Sequence, residues 1–487
     1  MTNIKWQHIA GIAVTCAFFA LLLIRLDFFQ KKQEPVAGLK ISQSQQPQDT
    51  WMNIYQNHRK IGFVHRTLVK EGDRFRFKEN VFMEINTMGI TQALNLATDG
   101  ELNPDMTLSS FNFNLNSSLF QFIVRGRVTG NKLVIFTGTP DKQEKNEIPL
   151  SRIPHISGSI YDAAFQAGLN KGATRGFSIF DPSTLSLKTV NVTRNADEII
   201  PIMGKRLLLK KYCADFMGAK HCAWLDQQGN VLKETGILGL SMEKTTRESA
   251  LAEIDRGASV DFTQIASIPS NVPIDDAETL RELKIKLSGI PNTLHLSGDR
   301  QRYEQNILTI TRESIDPSSG RSNKIPADIA LFLNPSALIQ SGDPGIKQLV
   351  GKIIRPADSD EQKAKKLIQW VFTHIEKKPT LSVPNALEVL KNRSGDCNEH
   401  SVLTVALLRA AGIPAQSEAG LIYLRGRFYY HAWCVLYLNR WITADAVFNQ
   451  FPADVTHIRL VRGESDQQLN LMGVIGKTKL EVLSQTR

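Results

Sequence analysis

The sequence predicts an α+β protein made of an N-terminal membrane helix, an antiparallel β-rich domain and a C-terminal α+β domain. Three observations lead to this fold class. An apolar run without charges extends from Ile9 to Ile24. From Trp51 to about Glu243, apolar and polar residues alternate as they do along half-buried strands. After about Asn334, apolar residues recur at helical spacing instead.

Length and composition indicate several packed domains. At 487 residues the chain is too long for one hydrophobic core, because domains usually stop growing at roughly 250 to 300 residues. Hydrophobic residues make up 42% and charged residues 22%, which excludes a mostly disordered or fully membrane-embedded chain. The net charge of +10 is spread along the chain without a basic block, so we expect no nucleic-acid partner. Composition leaves the oligomeric state open.

The apolar run is the candidate membrane anchor, which we assign to residues 1–30. As a helix, Ile9 to Ile24 would span about 24 Å of a hydrocarbon core of roughly 30 Å, so flanking residues such as Trp6 must contribute. A cleaved signal peptide is the alternative, although the sequence that follows from Arg25 offers no small-x-small cleavage site.

The predicted anchor implies a single-pass protein whose later domains lie in the periplasm or otherwise outside the membrane. Long domains are translocated largely regardless of nearby charge, which favours this orientation. Lys31 and Lys32 oppose it, because positive charge after a span favours the cytoplasmic side.

Composition shifts divide the rest of the chain. Residues 31–50 are predicted to be a tether, because the stretch ISQSQQPQDT cannot bury a core. Residues 51–262 form the predicted β-rich domain, which we expect to bind a partner or substrate because it shows no catalytic constellation. Residues 263–333 are predicted as a small connecting module, residues 334–465 as the C-terminal α+β domain, and residues 466–487 as a C-terminal tail.

Five cysteines are present: Cys16, Cys213, Cys222, Cys397 and Cys434. Cys213 and Cys222 lie on either side of Met217-Gly218, and a two-residue hairpin there would place them opposite each other, near disulfide distance. Such a bridge would indicate an oxidising compartment, whereas two buried free thiols are the alternative. Spacing does not decide between them.

Helix signals in the C-terminal domain begin at Ser359, which forms a capping-box pattern with Gln362. A shorter helix is predicted from Asn385 to Lys391. A third helix starts within the segment RSGDCNEH, at about Cys397, and Gly412 ends it. Each of these helices shows apolar positions at helical spacing, so each is expected to bury one face.

The third helix carries the candidate nucleophile at its N-terminal end. There, unpaired amide hydrogens and the positive end of the helix dipole favour a Cys397 thiolate, and the same amides can donate to an oxyanion. His431 follows on a predicted strand, and Asp445 on the next. A cysteine nucleophile requires an imidazole to move its proton, and the imidazole requires a carboxylate to orient it. The sequence therefore predicts Cys397 as nucleophile, His431 as base and Asp445 as orienting group.

Zinc is the alternative use of this region, since Cys397-x-x-His400 and His431-x-x-Cys434 have ligand types and spacing typical of zinc sites. Along a regular strand, however, His431 and Cys434 face opposite sides. We therefore expect no metal and no cofactor, and we interpret His400 and Glu399 as structural groups at the helix start.

The alternation of side chains between the two faces of a strand also constrains the predicted triad. With a two-residue loop at Asn439-Arg440, Asp445 would pair with Cys434 and face away from His431. The triad therefore requires a loop with an odd number of residues, or a β-bulge, between the two strands.

The residues around these positions resemble a known family. GDCNEH followed by a helix and AAGIPA, then YYHAW, then WITADAVFNQ, is similar to the transglutaminase-like core found in many bacterial proteins, which is related to the papain fold. The resemblance covers about Ala386 to Leu460 and implies a papain-like domain with Cys397, His431 and Asp445 as catalytic triad. The family commonly has a proline after the triad aspartate, whereas this chain has Ala446.

The resemblance implies acyl transfer through a thioester on Cys397, starting from the carboxamide of a protein or peptide substrate. Water would complete hydrolysis and an amine would complete crosslinking, so both a transamidase and a cysteine protease remain open. A catalytically silent binding or scaffold protein of the cell envelope is the alternative of a different class. The presence of all three residue types argues against it.

Overall fold

The computed structural model describes residues 47–487 apart from residues 88, 118–119, 140–141, 217–218, 237–238, 255–260, 292–293, 316–324, 381, 384, 465–467, 469–470 and 472–473. The predicted membrane anchor, including Ile9 to Ile24, lies outside the described residues, as does most of the predicted tether.

One large sheet accounts for most of the N-terminal half. Its sixteen strands, within the described residues, are β1 (Gln48–Gln56), β2 (Arg59–Glu71), β3 (Arg74–Thr87), β4 (Ile90–Leu102), β5 (Leu108–Ser117), β6 (Gln121–Thr129), β7 (Lys132–Thr139), β8 (Lys142–Pro149), β9 (His155–Ile156), β10 (Thr174–Asp181), β11 (Ser186–Arg194), β12 (Glu198–Ile202), β13 (Lys205–Phe216), β14 (Ala219–Leu225), β15 (Val231–Thr235) and β16 (Leu240–Thr245). The strand order is β8-β7-β6-β5-β4-β3-β2-β1-β16-β15-β14-β13-β11-β10-β9, and β12 pairs with β13.

Alternation of side chains builds the core of this sheet. In β5, Phe111, Phe113 and Leu115 are buried and Asn112 between them is exposed, as expected for a strand with one buried face. The first eight strands form an antiparallel meander, which the pairing of β1 with β16 joins to the later strands. The predicted antiparallel β-rich region is therefore present as a sheet.

Cys213 and Cys222 face each other across β13 and β14 and form a disulfide. The sequence had left this bridge and two free thiols as alternatives. Of the free cysteines in the described residues, Cys397 is partly buried and Cys434 is buried.

Helices concentrate in the C-terminal half. The described helices are α1 (Ile160–Gln166), α2 (Arg247–Leu251), α3 (Phe262–Ala266), α4 (Ala327–Ala330), α5 (Pro344–Ile353), α6 (Asp360–His374), α7 (Ala386–Asn392) and α8 (Cys397–Ala410), with short 3-10 helices at Ser157–Ser159, Ala277–Thr279 and Leu331–Leu333. Ser359 and Gln362 form the predicted capping box at the start of α6. Helix α8 is buried along most of its length and packs against α5, α6 and α7.

Three smaller sheets complete the C-terminal half. The largest contains β17 (Ile268–Pro269), β23 (Ala415–Leu424), β24 (Arg427–Tyr437), β25 (Trp441–Ala444) and β26 (Ile458–Arg462), in the order β17-β24-β23-β26 with β25 also paired to β24. The second has the order β19-β20-β18-β27 and contains β18 (Glu282–Ser288), β19 (Gln301–Glu304), β20 (Ile307–Thr311) and β27 (Lys479–Thr486). The third is the parallel pair β21 (Glu376–Lys377) and β22 (Ser394–Gly395).

The segment predicted as a C-terminal tail, residues 466–487, contributes a strand rather than a tail. Strand β27 pairs antiparallel with β18 of the predicted connecting module. Leu283 of β18 and Leu480 of β27 share one hydrophobic core with Phe428 of β24. The connecting module, the C-terminal strand and the domain that carries Cys397 are thus packed around a common core.

The predicted fold class, α+β with an N-terminal membrane helix, is wrong. Of the described residues, 49% lie in strands and 19% in helices, so this part of the chain is mostly β because the large sheet outweighs the helices around α8. Among the described residues, no helix is both long and apolar enough to cross a bilayer, and α6 and α8 have only 15 and 14 residues. The prediction of a single-pass membrane protein with a periplasmic catalytic domain is therefore wrong.

Candidate active site

Cys397 is the first residue of α8, as the sequence predicted, but the helix end around it is already occupied. The Asp396 carboxylate caps the helix by accepting the Asn398 N–H at 2.8 Å. The Glu399 carboxylate accepts the Asp396 N–H at 2.9 Å, which completes a capping box. The Asn398 and Glu399 amides, which the sequence predicted to stabilise a thiolate or an oxyanion, therefore bind the Asp396 carboxylate.

Burial and these neighbours change the pKa of the Cys397 thiol. Burial raises the pKa of Cys397 well above its usual value, and the negative charges of Asp396 and Glu399 raise it further. A hydrogen bond from the Ala432 N–H acts in the opposite direction. The expected helix-end activation of Cys397 is thus outweighed, and a base must take the proton when the sulfur reacts.

The hydrogen bond from Ala432 also places Cys397 beside the part of β24 that carries the predicted base, because Ala432 directly follows His431. The His431 ring is 5.4 Å from the Phe448 ring, centre to centre, and its Nε2 lies 2.7 Å from Asp445 Oδ2. With Nε2 on the carboxylate, Nδ1 is the ring nitrogen available to exchange a proton with a nucleophile.

The loop between β24 and β25 explains how Asp445 reaches His431. Tyr437 pairs with Trp441, which leaves a three-residue loop closed by a hydrogen bond from the Leu438 N–H to the Arg440 carbonyl. An odd-length loop of this kind is what the parity of the strands requires. Asp445 follows β25 directly and lies on the same face as His431.

Asp445 is fully buried and accepts four hydrogen bonds. Its Oδ1 accepts the Val447 N–H at 2.6 Å and the Phe448 N–H at 3.3 Å, and its Oδ2 lies 2.7 Å from His431 Nε2 and 2.9 Å from His457 Nε2. Burial alone would raise the pKa of Asp445, but the charges and hydrogen bonds of the two histidines hold it far below its usual value. The Asp445 carboxylate is therefore ionised at neutral pH.

His457 is a member of this site that the sequence reasoning missed. It directly precedes β26, is fully buried, and its Nδ1 lies 3.3 Å from Asp454 Oδ1. Burial lowers the pKa of His457, but hydrogen bonds to Asp445 and Asp454 outweigh this and raise it to about 9. The signal in the sequence is the Asp454-x-x-His457 spacing, which gains meaning only once a turn brings both side chains toward Asp445.

A glycine permits this approach. Gly420 lies opposite His431 in the pairing of β23 with β24, and β26 pairs along its other side. A Cβ at Gly420 would lie 1.9 Å from the carbonyl oxygen of Ile458, so a larger residue would force apart the strands that bring His457 to the site.

The structure does not assemble the cysteine-histidine zinc set considered from the sequence. Cys434 Sγ donates to the Ala444 carbonyl at 3.4 Å and belongs to the core around α8, whereas Cys397 packs against the core below β23 and β24. His400 Nδ1 lies 2.7 Å from the Asp396 carbonyl, in keeping with a structural role.

A different trio has metal-ligand chemistry. Within the described residues, one donor atom each of His431, Asp445 and His457 lie within 4.8 Å of one another. Both imidazole nitrogens are within hydrogen-bond distance of the same carboxylate oxygen, so the contacts are those of a histidine–carboxylate–histidine network. Asp445 thus holds both histidines through hydrogen bonds.

Comparison with known proteins identifies the region of the chain that contains the site. Residues 347–446 match the transglutaminase-like superfamily, so the chain carries a transglutaminase-like domain that contains Cys397, His431 and Asp445. His457 lies beyond the matched residues. No curated protein matches the chain.

Three solved structures are similar to parts of the chain at low identity. A "putative cysteine protease" from Cytophaga hutchinsonii is 18% identical, covers 43% of this chain and 83% of its own, and has a TM-score of 0.29. A β-barrel-like protein of a domain of unknown function from Brucella abortus is 12% identical, with coverages of 41% and 94% and a TM-score of 0.32. A "putative protease" from Parabacteroides distasonis is 12% identical, with coverages of 85% and 67% and a TM-score of 0.20.

Proposed function

We propose that the transglutaminase-like domain catalyses acyl transfer from a carboxamide through a thioester on Cys397. The observation that carries the proposal is the hydrogen bond between His431 and Asp445 beside a cysteine that accepts the neighbouring Ala432 N–H. Covalent catalysis by a thiol requires a nucleophile, a base and a carboxylate that orients the base, and Cys397, His431 and Asp445 are residues of these three types.

The chemistry follows from the protonation states. The thiol of Cys397 gives its proton to His431 as the sulfur attacks the carbonyl carbon, and Asp445 stabilises the imidazolium that forms. The imidazolium then protonates the leaving nitrogen, the carbon–nitrogen bond breaks, and a thioester remains. Water restores the thiol and leaves a carboxylic acid, whereas an amine restores it and leaves a new amide.

The substrate we propose is a glutamine side chain or a peptide bond of a protein or peptide. Both present a carboxamide carbon to the sulfur and a nitrogen leaving group to the imidazole. The residues named act in the same way in a transamidase and in a protease, so the acyl acceptor decides between the two activities.

The test uses a glutamine-containing peptide with hydroxylamine as acyl acceptor, and follows hydroxamate formation. Cys397→Ala should abolish the product, because it removes the nucleophile while costing only a small side chain. Cys434→Ala is the matched control, since Cys434 is a free cysteine in a different core, and it should retain product formation. Product formation by Cys397→Ala near the wild-type level would show that another group is the nucleophile.

A catalytically silent binding domain is the second candidate, and the raised pKa of Cys397 is the observation that favours it. The rate of alkylation of Cys397 by iodoacetamide separates the two candidates without a substrate. In an active site the rate should fall at least tenfold in His431→Ala, because thiolate formation depends on the imidazole. An equal rate in both proteins would support the silent domain.

A further inference from the structure

We propose that His457 is a positioning residue of this site, which fixes Asp445 opposite His431 and, together with Asp454, controls how readily Cys397 reacts. The inference rests on the proposed function, because it concerns the same cysteine. Two imidazoles share a single oxygen of Asp445: His431 Nε2 lies 2.7 Å and His457 Nε2 lies 2.9 Å from Asp445 Oδ2.

His457 has an acceptor on each ring nitrogen. Nε2 lies 2.9 Å from Asp445 Oδ2 and Nδ1 lies 3.3 Å from Asp454 Oδ1. A neutral imidazole can donate through only one nitrogen, so carboxylates at both ends favour the doubly protonated, positive ring. Asp454 is itself held by the N–H and hydroxyl of Thr456 and by the amide of Gln450. Both ends of the ring are therefore fixed.

Apart from Asp445 and Asp454, His457 is surrounded by two rings and by one ion pair that binds its main chain rather than its ring. The Trp433 ring stands perpendicular to the His457 ring at 5.2 Å, and the His431 ring lies 6.1 Å away. The Arg300 guanidinium donates to the main-chain carbonyl of His457 at 2.8 Å, and Glu313 lies 3.7 Å from that guanidinium. The carboxylates that bind the imidazole itself are Asp445 and Asp454.

The contacts connect Asp454 to His457, His457 to Asp445 and Asp445 to His431. The pair of Asp454 and His457 is neutral overall, so it holds Asp445 in place without adding negative charge near Cys397. Loss of the His457 charge would leave an uncompensated carboxylate. The cysteine and its base would then release a proton only at higher pH, by about one unit, as is typical of one nearby charge.

The variant His457→Gln tests this, because glutamine can still donate to Asp445 but carries no charge. Between pH 6 and 8 the Cys397 thiolate fraction is small, so a shift of about one pH unit lowers the rate of alkylation by iodoacetamide about tenfold. The double variant His457→Gln with Asp454→Asn removes both charges of the pair. We expect it to return the rate to within about twofold of wild type.

The pH profile distinguishes positioning from a structural role. Since the pKa of His457 is about 9, wild-type His457 itself becomes neutral above that pH, and the tenfold difference should disappear by about pH 10. A His457→Gln rate equal to wild type at pH 7, or a ratio that stays constant up to pH 10, would overturn the proposal. If His457→Gln alone fails to fold, as judged by circular dichroism, a wild-type rate in the folded Asp454→Asn variant would overturn it instead.

The variant His431→Ala tests the proposed function separately from the role of His457. If alkylation of Cys397 is as fast in His431→Ala as in wild type, the cysteine and the base are not coupled, and the proposed function fails. If His431→Ala slows alkylation and His457→Gln does not, the proposed function stands and only the role of His457 is refuted.

Discussion

Two buried ionic clusters lie in different parts of the molecule and show opposite electrostatics. In the large sheet, Arg66 of β2 donates to the Asp162 carboxylate of α1 and lies 3.6 Å from Glu234. Burial, above all, raises the pKa values of Glu79, Asp162 and Glu234. In the C-terminal domain, Asp445 is as fully buried as Asp162, yet its pKa is lowered.

The number of donors around each carboxylate explains the difference. Asp445 accepts hydrogen bonds from two histidines and two main-chain amides, so its charged form is well solvated by the protein. Asp162 Oδ1 is buried without a hydrogen-bond partner, and three acids share the single guanidinium of Arg66. Burial alone therefore does not decide whether a carboxylate stays ionised; the number of hydrogen-bond donors around it does.

The largest expected effect comes from Asp445→Asn. An amide cannot stabilise the imidazolium of His431, so acyl transfer to hydroxylamine should slow by about 10²- to 10⁴-fold. Asp162→Asn is the matched control, because both aspartates are fully buried. It should leave the rate within about twofold of wild type in the folded protein. Equal losses in both variants would mean that the comparison reflects burial rather than catalysis.

Arg66→Met should have the next largest effect, on stability rather than on activity. It would leave the acids around Arg66 without their cation, and breaking a buried pair by removing one partner costs about 3 to 5 kcal/mol. The measurement is the free energy of unfolding in urea. Arg76→Met is the control, since its pair with Asp99 at 2.8 Å is partly exposed and should contribute only about 0 to 1 kcal/mol. A similar small loss in Arg66→Met would refute the importance of the buried cluster.

A smaller effect is expected from Glu234→Gln, in the pH dependence of stability. Burial raises the pKa of Glu234 from 4.5 to about 7. A raised folded-state pKa contributes stability that is present below about pH 4.5 and is lost as the pH rises through about 7. The loss of unfolding free energy between pH 5 and 8 should therefore be smaller in Glu234→Gln than in wild type, by about 2 kcal/mol. Parallel stability curves for the two proteins would contradict the raised pKa.

The sheet and the site differ in how much of each was predictable. Period-two alternation predicted strands such as β5 because burial of every second side chain is a local property. The capping pair Ser359 and Gln362 predicted the start of α6 for the same reason. The extent of the large sheet was not predictable in this way, and the expected α+β class was wrong because the balance of strand and helix depends on all elements together.

What the sequence by itself determined is the start of α8 at Cys397 and the nomination of His431 and Asp445, since these depend on helix signals and on motif order. Only the tertiary structure decided the rest. The three-residue loop after Tyr437 set the face of Asp445. Burial, together with the charges of Asp396 and Glu399, outweighed the expected effect of the helix end on the pKa of Cys397. His457 joined the site because β26 packs against Gly420, and that contact depends on distant strand pairing, which local residue patterns do not encode.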